Sequence, residues 1–353
     1  MQKTKIQWEY GACFFLMVCM IVLVLTGCGN TSSVTVPKTT EEVHEDGAGK
    51  RNDESNSIKS KQNEGFHWTP YMWNDLYTQI YGEQFHDDFD AYVNAALNYE
   101  ESFICGNEEN TWKFYDFQEY VCPVLSVLVN DTSYENGTCH ISYSVSQNEA
   151  DKIIAAFRER IEKLVNESTV LSDSDSMKAF LLYYNYVQKL TYDYDAVYSA
   201  EITDWFPYRG LMEYTGICQS FAGGYSYLCN QCGIEATVVY GKSDTQNKAH
   251  VWSLVRLDGE YYYMDPTFNL RDESGVSYYG MTRDRRMMEG DFLPGNYNIC
   301  YSGELNGNDI NVDNSKYEAL WESVKVVAVE RNSDRVIVRY ENADGEEKIF
   351  EIR

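Results

Sequence analysis

The chain has 353 residues, with 29 Lys and Arg against 55 Asp and Glu, and a formal net charge of −26. At roughly 100–200 residues per domain, this length predicts two or three domains. Hydrophobic residues make up 44% of the chain and include 30 Tyr, 15 Phe and 7 Trp, so a substantial core can form and a disordered polyanion is excluded. The acidic balance also argues against nucleic acid as a partner, because phosphate binding needs clustered Lys and Arg.

The N-terminal segment predicts export. Lys3 and Lys5 precede an uninterrupted apolar run, Ala12–Leu25, which is shorter than the about 20 residues of a membrane span and typical of a signal peptide. The run ends in Leu25-Thr26-Gly27-Cys28, which resembles the bacterial lipobox, where the Cys is acylated and the chain is cut before it. Residues 1–27 are therefore expected to be a lipoprotein signal peptide. Cys28 would anchor the protein to the cell membrane, facing the outside of the cytoplasmic membrane. A plain N-terminal membrane anchor is the alternative.

Residues 28–64 predict a flexible tether. Gly29–Glu64 contains no aromatic residue and is rich in Ser, Thr, Asn, Lys and Glu. A coil of this length would span about 30–35 Å on average. Such a tether would hold a folded body away from the membrane without fixing its orientation.

Residues 65–170 predict a supporting domain of helices and strands. Asn74–Glu100 has apolar residues in rough helical spacing, and Glu149–Val165 has the pattern of an amphipathic helix. His140–Val145 alternates like a strand. No arrangement of residues in this region suggests chemistry.

Two more helices are expected in the next segment. The Ser-Asp cluster at Ser172–Ser176 offers N-cap groups for the first. The second begins at Cys218, and a thiol at a helix N-terminus is expected to have a lowered pKa and to be a better nucleophile. Gly223 and Gly224 predict that another element approaches this helix closely. Its buried stripe is predicted to contain Cys218, Ala222, Tyr225, Cys229 and Cys232.

A β-hairpin follows, with Ala249–Leu257 and Glu260–Thr267 as its strands and Asp258-Gly259 as its turn. A two-residue turn places His250 opposite Thr267 and makes Asp265 a diagonal neighbour of His250 on the same face. Asp265 could then accept the imidazole N–H and leave the other ring nitrogen for a thiol. A turn of three residues would send Asp265 to the opposite face.

These segments together resemble the bacterial branch of the transglutaminase-like superfamily. The resemblance runs from near Phe180 to Met288 and implies an α+β fold with a papain-like core, in which the Cys helix packs on an antiparallel sheet. It places a transglutaminase-like domain at residues 171–300, between the supporting α/β region and a small β tail at residues 301–353. The matching motifs are Gly216-Ile217-Cys218-Gln219-Ser220-Phe221-Ala222, Ala249-His250-Val251-Trp252 and Tyr263-Met264-Asp265-Pro266-Thr267-Phe268, with Tyr279-Gly280-Met281-Thr282 after them.

The resemblance implies that Cys218 is the nucleophile, His250 the base and Asp265 the residue that orients the base. We therefore expect a surface-anchored thiol enzyme that acts on peptide or carboxamide bonds, with a peptide or protein as its substrate and no cofactor or metal. A peptidase or amidase of extracellular or wall polymers is the favoured interpretation. A non-catalytic binding or scaffold module and a protein-crosslinking transglutaminase are the alternatives. The oxyanion donor is open, with the Cys218 backbone N–H, Tyr208 and Tyr214 as candidates.

The other cysteines carry weaker signals. Cys229-x-x-Cys232 is expected to hold buried free thiols, because the motif lies within a helix and no second Cys or His pair completes a zinc site. The sequence leaves open whether disulfides form outside the cell among Cys105, Cys122, Cys139 and Cys300.

Two further patterns complete the predicted elements. Tyr261-Tyr262-Tyr263 is interpreted as alternately core and surface, with a glycan or peptide groove as the alternative. The C-terminal tail is predicted to form strands over Val324–Val329, Arg335–Tyr340 and Lys348–Ile352, with Asp344-Gly345 as a hairpin turn.

Overall fold

The computed structural model describes residues 65–199, 201–243, 248–270, 275–288, 290, 292–297 and 310–353. The predicted signal peptide, lipidation site at Cys28 and tether lie outside these residues, as does Cys300. Across the described ranges, no helix is long and apolar enough to cross a membrane.

The first described elements are two helices separated by a glycine. Asn74 caps α1 (Asp75–Tyr81) by accepting the Tyr77 N–H at 2.9 Å. Gly82, with φ at +81°, separates α1 from α2 (Glu83–Leu97). The prediction of one helix over Asn74–Glu100 is therefore wrong, because a positive φ interrupts the helical backbone and glycine adopts it without steric cost.

Four helices follow in the chain: α3 (Glu108–Val121), α4 (Leu125–Leu128), α5 (Gln147–Ser168) and α6 (Asp175–Val187). Capping side chains mark the starts of the two that the sequence predicts, α5 and α6. The Ser146 backbone N–H donates to the Glu149 carboxylate at 3.0 Å at the start of α5. The Ser174 hydroxyl accepts the Met177 N–H at 3.2 Å at the start of α6. Both helices are where the sequence predicts them.

A small antiparallel sheet lies beside these helices. Its strands are β1 (Ser102–Ile104), β2 (Val129–Glu135) and β3 (Thr138–Tyr143), in the order β1-β3-β2. The strand predicted over His140–Val145 is confirmed as β3, with its bounds moved towards the N-terminus.

The central layer consists of one helix on a four-stranded antiparallel sheet. A short parallel pair, β4 (Thr191–Tyr192) and β5 (Thr215–Gly216), and α7 (Pro207–Glu213) precede α8 (Cys218–Gln231). The sheet has the order β8-β7-β6-β9, from β6 (Ala236–Ser243), β7 (Lys248–Leu257), β8 (Glu260–Met264) and β9 (Leu293–Tyr297). Short helices α9 (Pro266–Asn269) and α10 (Arg283–Met287) lie between β8 and β9 in the chain. The predicted fold, a Cys helix on an antiparallel sheet, is confirmed.

Helix α8 is enclosed by its neighbours. A Cβ atom added at Gly223 would lie 2.4 Å from Cγ of Pro207, and one added at Gly224 would lie 2.3 Å from the Tyr186 hydroxyl. The predicted close approach at these glycines is confirmed. The sequence predicts that only one stripe of α8 is buried, and this is wrong, because every residue of α8 is buried. Cys232 is the C-terminal cap of α8 and lies outside the helix itself.

The C-terminal residues form a third antiparallel sheet. It has the order β10-β11-β12, from β10 (Lys325–Arg331), β11 (Val336–Glu341) and β12 (Glu347–Ile352), as the sequence predicts. The main hydrophobic core includes residues from Trp68 to Ile352. Trp68 also donates its indole N–H to the Tyr227 hydroxyl at 2.6 Å, which joins the start of the described chain to α8. The domain boundaries predicted at residues 170 and 300 stay predictions.

Candidate active site

The backbone around Gly216 positions Cys218 at the first residue of α8. Gly216 has φ at +149°, and a Cβ atom there would lie 2.4 Å from the Ser220 hydroxyl, so a larger residue would collide with the first turn. The Ile217 N–H donates to that hydroxyl at 3.2 Å, and the hydroxyl donates to the Trp205 carbonyl at 2.8 Å. These bonds hold the start of the helix, and Cys218 is 8% exposed.

The β7–β8 hairpin has the predicted register. Leu257 pairs with Glu260, and Ser253 pairs with Met264. Asp258 and Gly259 both have positive φ, 54° and 87°, which is the conformation of a type I′ turn. The turn therefore has two residues, as the proximity of His250 to Asp265 requires.

The return strand ends earlier than the sequence predicts. Strand β8 stops at Met264, and Thr267 lies in α9, so it does not face His250. Pro266 has no N–H for the strand ladder, and the Asp265 side chain caps α9 by accepting the Phe268 N–H at 3.0 Å. The same cap directs the other carboxylate oxygen of Asp265 towards β7.

His250 and Asp265 form a buried pair. His250 Nε2 lies 2.8 Å from Asp265 Oδ2, and the two side chains are 5% and 0% exposed. The His250 ring packs against Phe268, with ring centroids 4.7 Å apart. The Tyr183 hydroxyl donates to the Asp265 carbonyl at 3.0 Å. An imidazole N–H directed at a carboxylate fixes the tautomer and orientation of the ring, so Asp265 is placed to orient His250 through Nε2.

Cys218 lies beside the strand that carries His250. The Val251 backbone N–H hydrogen-bonds to the Cys218 thiol, and the Ser253 hydroxyl donates to the Ala222 carbonyl of α8 at 2.9 Å. The structure therefore brings together helix α8 at Cys218, strand β7 at His250, and Asp265 at the end of β8.

Burial dominates the acidity of the thiol. It raises the pKa of Cys218 to about 11, although N–H groups of Val251, Gln219 and Cys218 itself lower it. The nearby Asp265 carboxylate raises it further. The expectation of a lowered thiol pKa from the helix N-terminus is therefore wrong, because the loss of solvation outweighs the helix N–H groups.

Sequence reasoning missed Arg286. Its Nη2 lies 3.1 Å from Asp265 Oδ2, the oxygen that also faces His250, and its side chain is 0% exposed. Burial acts to raise the pKa of Asp265, but His250 and Arg286 together hold it below its ordinary value of 3.8. Arg286 follows the Tyr279–Thr282 motif by only a few residues. Nothing in its spacing distinguishes it from the neighbouring Arg283 and Arg285.

The two aromatic candidates for the oxyanion donor pack against supporting residues. Tyr208 stacks on Phe157, and Arg160 lies over Tyr214, 4.1 Å from its ring centroid. Tyr192 lies nearer the site, because it pairs with Gly216 and its ring packs against Phe221 of α8, with centroids 6.3 Å apart.

Most of the other cysteines and tyrosines that the sequence analysis considers are buried side chains. Free thiols in the described part of the chain are Cys105, Cys122, Cys139, Cys218, Cys229 and Cys232. The predicted buried free thiol is confirmed at Cys229, whereas Cys232 is half-buried. Tyr262 and Tyr263 are both buried in the core, so the predicted alternation of core and surface is wrong for these two residues. No cluster of three or more His, Cys, Asp or Glu suited to a metal ion occurs among the residues that the structure describes.

The site therefore combines a buried Cys on a helix with a His–Asp pair on an antiparallel hairpin. Residues 162–266 match the family model of the transglutaminase-like superfamily. The chain thus carries a transglutaminase-like domain over these residues, as its motifs indicate. A comparison with curated proteins finds no match.

Three solved structures are similar to parts of the chain. A transglutaminase is 17% identical with a TM-score of 0.27, covering 40% of this chain and 45% of its own. A candidate cysteine protease from Cytophaga hutchinsonii is 16% identical with a TM-score of 0.25, covering 38% and 55%. A candidate protease from Parabacteroides distasonis is 10% identical with a TM-score of 0.27, covering 64% and 61%. The chain thus spans between 45% and 61% of the length of these proteins.

Proposed function

We propose that the protein is a thiol enzyme that transfers acyl groups from peptide or carboxamide bonds, with Cys218 as nucleophile. The observation that carries this proposal is the 2.8 Å contact between His250 Nε2 and Asp265 Oδ2 on the strand beside Cys218. A base that a carboxylate orients, on the strand whose Val251 N–H bonds to the Cys218 thiol, suits nucleophilic acyl transfer.

The chemistry starts from a neutral thiol, because burial raises the pKa of Cys218 to about 11. His250 Nδ1 accepts the thiol proton as sulfur attacks the carbonyl carbon, and Asp265 stabilises the imidazolium that forms. Collapse of the tetrahedral intermediate breaks the C–N bond, and the imidazolium gives its proton to the leaving amine. A thioester on Cys218 remains.

The fate of the thioester defines the activity. Attack by water, with His250 as base, releases a carboxylic acid and restores the thiol, whereas attack by a primary amine forms a new amide. We favour hydrolysis, so that the protein acts as a peptidase or amidase on extracellular or wall polymers. The apolar N-terminal run and Cys28 support lipid anchoring on the outer side of the cytoplasmic membrane.

Intact-protein mass spectrometry of the thioester tests this proposal. The wild-type protein is incubated with a pool of peptides that includes glutamine-containing and branched wall peptides, and the reaction is stopped with acid. We expect a mass increase that maps to Cys218, together with cleaved or deamidated peptide. Cys229→Ala is the matched control, because this buried thiol lies on the same helix away from the His–Asp pair.

Each outcome of this experiment is informative. Loss of the adduct in Cys218→Ala and its persistence in Cys229→Ala supports acyl transfer. Incorporation of a labelled primary amine in excess of hydrolysis would identify a crosslinking enzyme. If wild-type protein forms no adduct and binds the same peptides as well as Cys218→Ala does, the domain is a binding module and the proposal is wrong.

A further inference from the structure

Arg286 is enclosed by three aromatic rings next to the His–Asp pair. Its guanidinium carbon lies 4.6 Å from the ring centroid of Trp252, 4.6 Å from that of Phe268 and 5.3 Å from that of Phe292. The side chain is 0% exposed, and its Nη2 lies 3.1 Å from Asp265 Oδ2. A buried cation costs several kcal/mol to desolvate, so its retention here calls for a compensating role or contact.

Two contacts hold the start of α10, the helix that carries Arg286: a cap at Thr282 and a backbone hydrogen bond to Val312. The Thr282 hydroxyl accepts the Arg285 N–H at 3.1 Å, which caps α10. The Arg283 N–H donates to the Val312 carbonyl at 2.7 Å. These contacts hold the backbone of α10, and the three rings enclose the guanidinium where it meets Asp265.

We propose that Arg286 is a positioning residue for acyl transfer, which holds Asp265 as a carboxylate turned towards His250 and offsets part of its negative charge. Asp265 Oδ2 faces both His250 Nε2 and Arg286, while Oδ1 caps α9 through the Phe268 N–H. Both oxygens are thus held, and rotation of the carboxylate would break these contacts.

The charge of Arg286 also limits how strongly the site retains a proton on His250. The titratable groups around His250 are Asp265, 2.8 Å from its Nε2, Arg286, which contacts the same carboxylate oxygen, and Cys218, whose thiol is bonded by the N–H of the next residue, Val251. A lone buried carboxylate would stabilise the imidazolium strongly, and a nearby guanidinium opposes it. His250 is then able to return the proton to the leaving amine, which the proposed function requires.

Ring titration of His250 tests this inference without any turnover. The protein carries Cys218→Ala throughout, and NMR follows protonation of a labelled His250 ring. We expect Arg286→Met to raise the proton affinity of His250 on the order of tenfold. Arg286→Lys should leave the affinity close to that of the parent. Arg285→Met is the matched control, because Arg285 lies on the same helix against Tyr278 and should have no effect.

A second pair of variants separates the electrostatic effect of Arg286 from a loss of folded structure. Asp265→Asn removes the carboxylate charge and should lower the proton affinity of His250, because the positive charge of Arg286 stays beside it. Asp265→Asn/Arg286→Met has no charge in this buried pair. Its His250 should bind a proton about tenfold more tightly than His250 of Asp265→Asn does. The inference is overturned if Arg286→Met titrates like its parent, if Arg285→Met changes the titration equally, or if the double variant recovers nothing.

The inference rests on the proposed function only for its consequence in catalysis. Should wild-type protein form no thioester on Cys218, the proposed function fails, yet the ring titration in Cys218→Ala protein still decides the role of Arg286. Where thioester does form, Arg286→Met should lower kcat at least tenfold with little change in KM, because Arg286 does not touch the substrate.

Discussion

Replacing Asp265 by alanine perturbs the most deeply buried charge pair of the site. Asp265 and Arg286 are both 0% exposed and lie 3.1 Å apart. Asp265→Ala leaves the guanidinium buried among aromatic rings without its carboxylate. It also removes the cap on α9 at the Phe268 N–H and the hydrogen bond to His250.

The expected loss of stability follows from these contacts. Breaking a buried ion pair by removing one partner costs about 3–5 kcal/mol, and loss of a helix cap costs about 1 kcal/mol. The two effects overlap at one side chain, so we expect the free energy of unfolding to fall by about 4 kcal/mol. In Asp265→Ala/Arg286→Met no charge from this pair is left buried, so the combined loss should be only about 1–2 kcal/mol.

Urea denaturation of the purified protein at pH 7, followed by tryptophan fluorescence, measures these losses. The single variants Asp265→Ala and Arg286→Met and the double variant complete a mutant cycle. The double variant should be more stable than Asp265→Ala. A loss below about 1 kcal/mol for Asp265→Ala, or additive losses in the double variant, would refute the reasoning that the pair is a desolvated and coupled unit.

Four other predictions follow from the same geometry. Gly223→Ala should lower the free energy of unfolding by about 1–3 kcal/mol, because its new Cβ would lie 2.4 Å from the rigid Pro207 ring. One glycine inserted between Asp258 and Gly259 should abolish thioester formation, since a register shift moves Asp265 to the other face. The unfolding free energy should fall relative to Cys218→Ala as pH rises from 9 towards 11, because the thiol pKa is raised from 9.0 to about 11 in the folded protein. Since the pKa of Asp265 is below 3.8 when folded, its contribution to stability should be complete above that pH and lost as the pH falls further.

Matched measurements control these predictions. A glycine inserted at Asp344-Gly345, the turn between β11 and β12, should leave thioester formation intact. For Gly223→Ala, unchanged denaturation would show that α7 can move away from α8 at little cost. For the two pH predictions, chemical denaturation is repeated across the pH range. If the free energy of unfolding changes with pH in the same way in wild type and Cys218→Ala above pH 9, the prediction for the thiol is wrong. If it does so in wild type and Asp265→Asn below pH 4, the prediction for Asp265 is wrong.

Local patterns predicted most of the elements that build the site. Apolar spacing and capping residues predicted α5 and α6, and strand patterning with the Asp344-Gly345 turn predicted the tail strands, because these signals act over only a few residues. The Asp258-Gly259 turn predicted the hairpin register, since both residues adopt the positive φ that a two-residue turn demands. That register brings Asp265 to the end of β8, and its cap on α9 turns the carboxylate towards His250.

Where local signals were wrong, a competing local effect prevailed. The apolar spacing of Asn74–Glu100 suggested one helix, but Gly82 adopts a positive φ and ends it. The strand predicted to run to Thr267 stops at Met264, because Pro266 cannot donate to the sheet and Asp265 caps a helix instead. In both cases the sequence contains the residue responsible, Gly82 or Pro266, but the prediction followed the apolar pattern instead.

The sequence by itself determined which side chains could act: a Cys that begins a helix, and a His and an Asp on one face of a hairpin. Only the tertiary structure decided their electrostatic state. Burial of Cys218 raises its pKa, and the guanidinium of Arg286 lies against Asp265 because α10 is held by contacts with Val312. Solvation and long-range packing depend on every element around a group, so no local pattern in the chain encodes them.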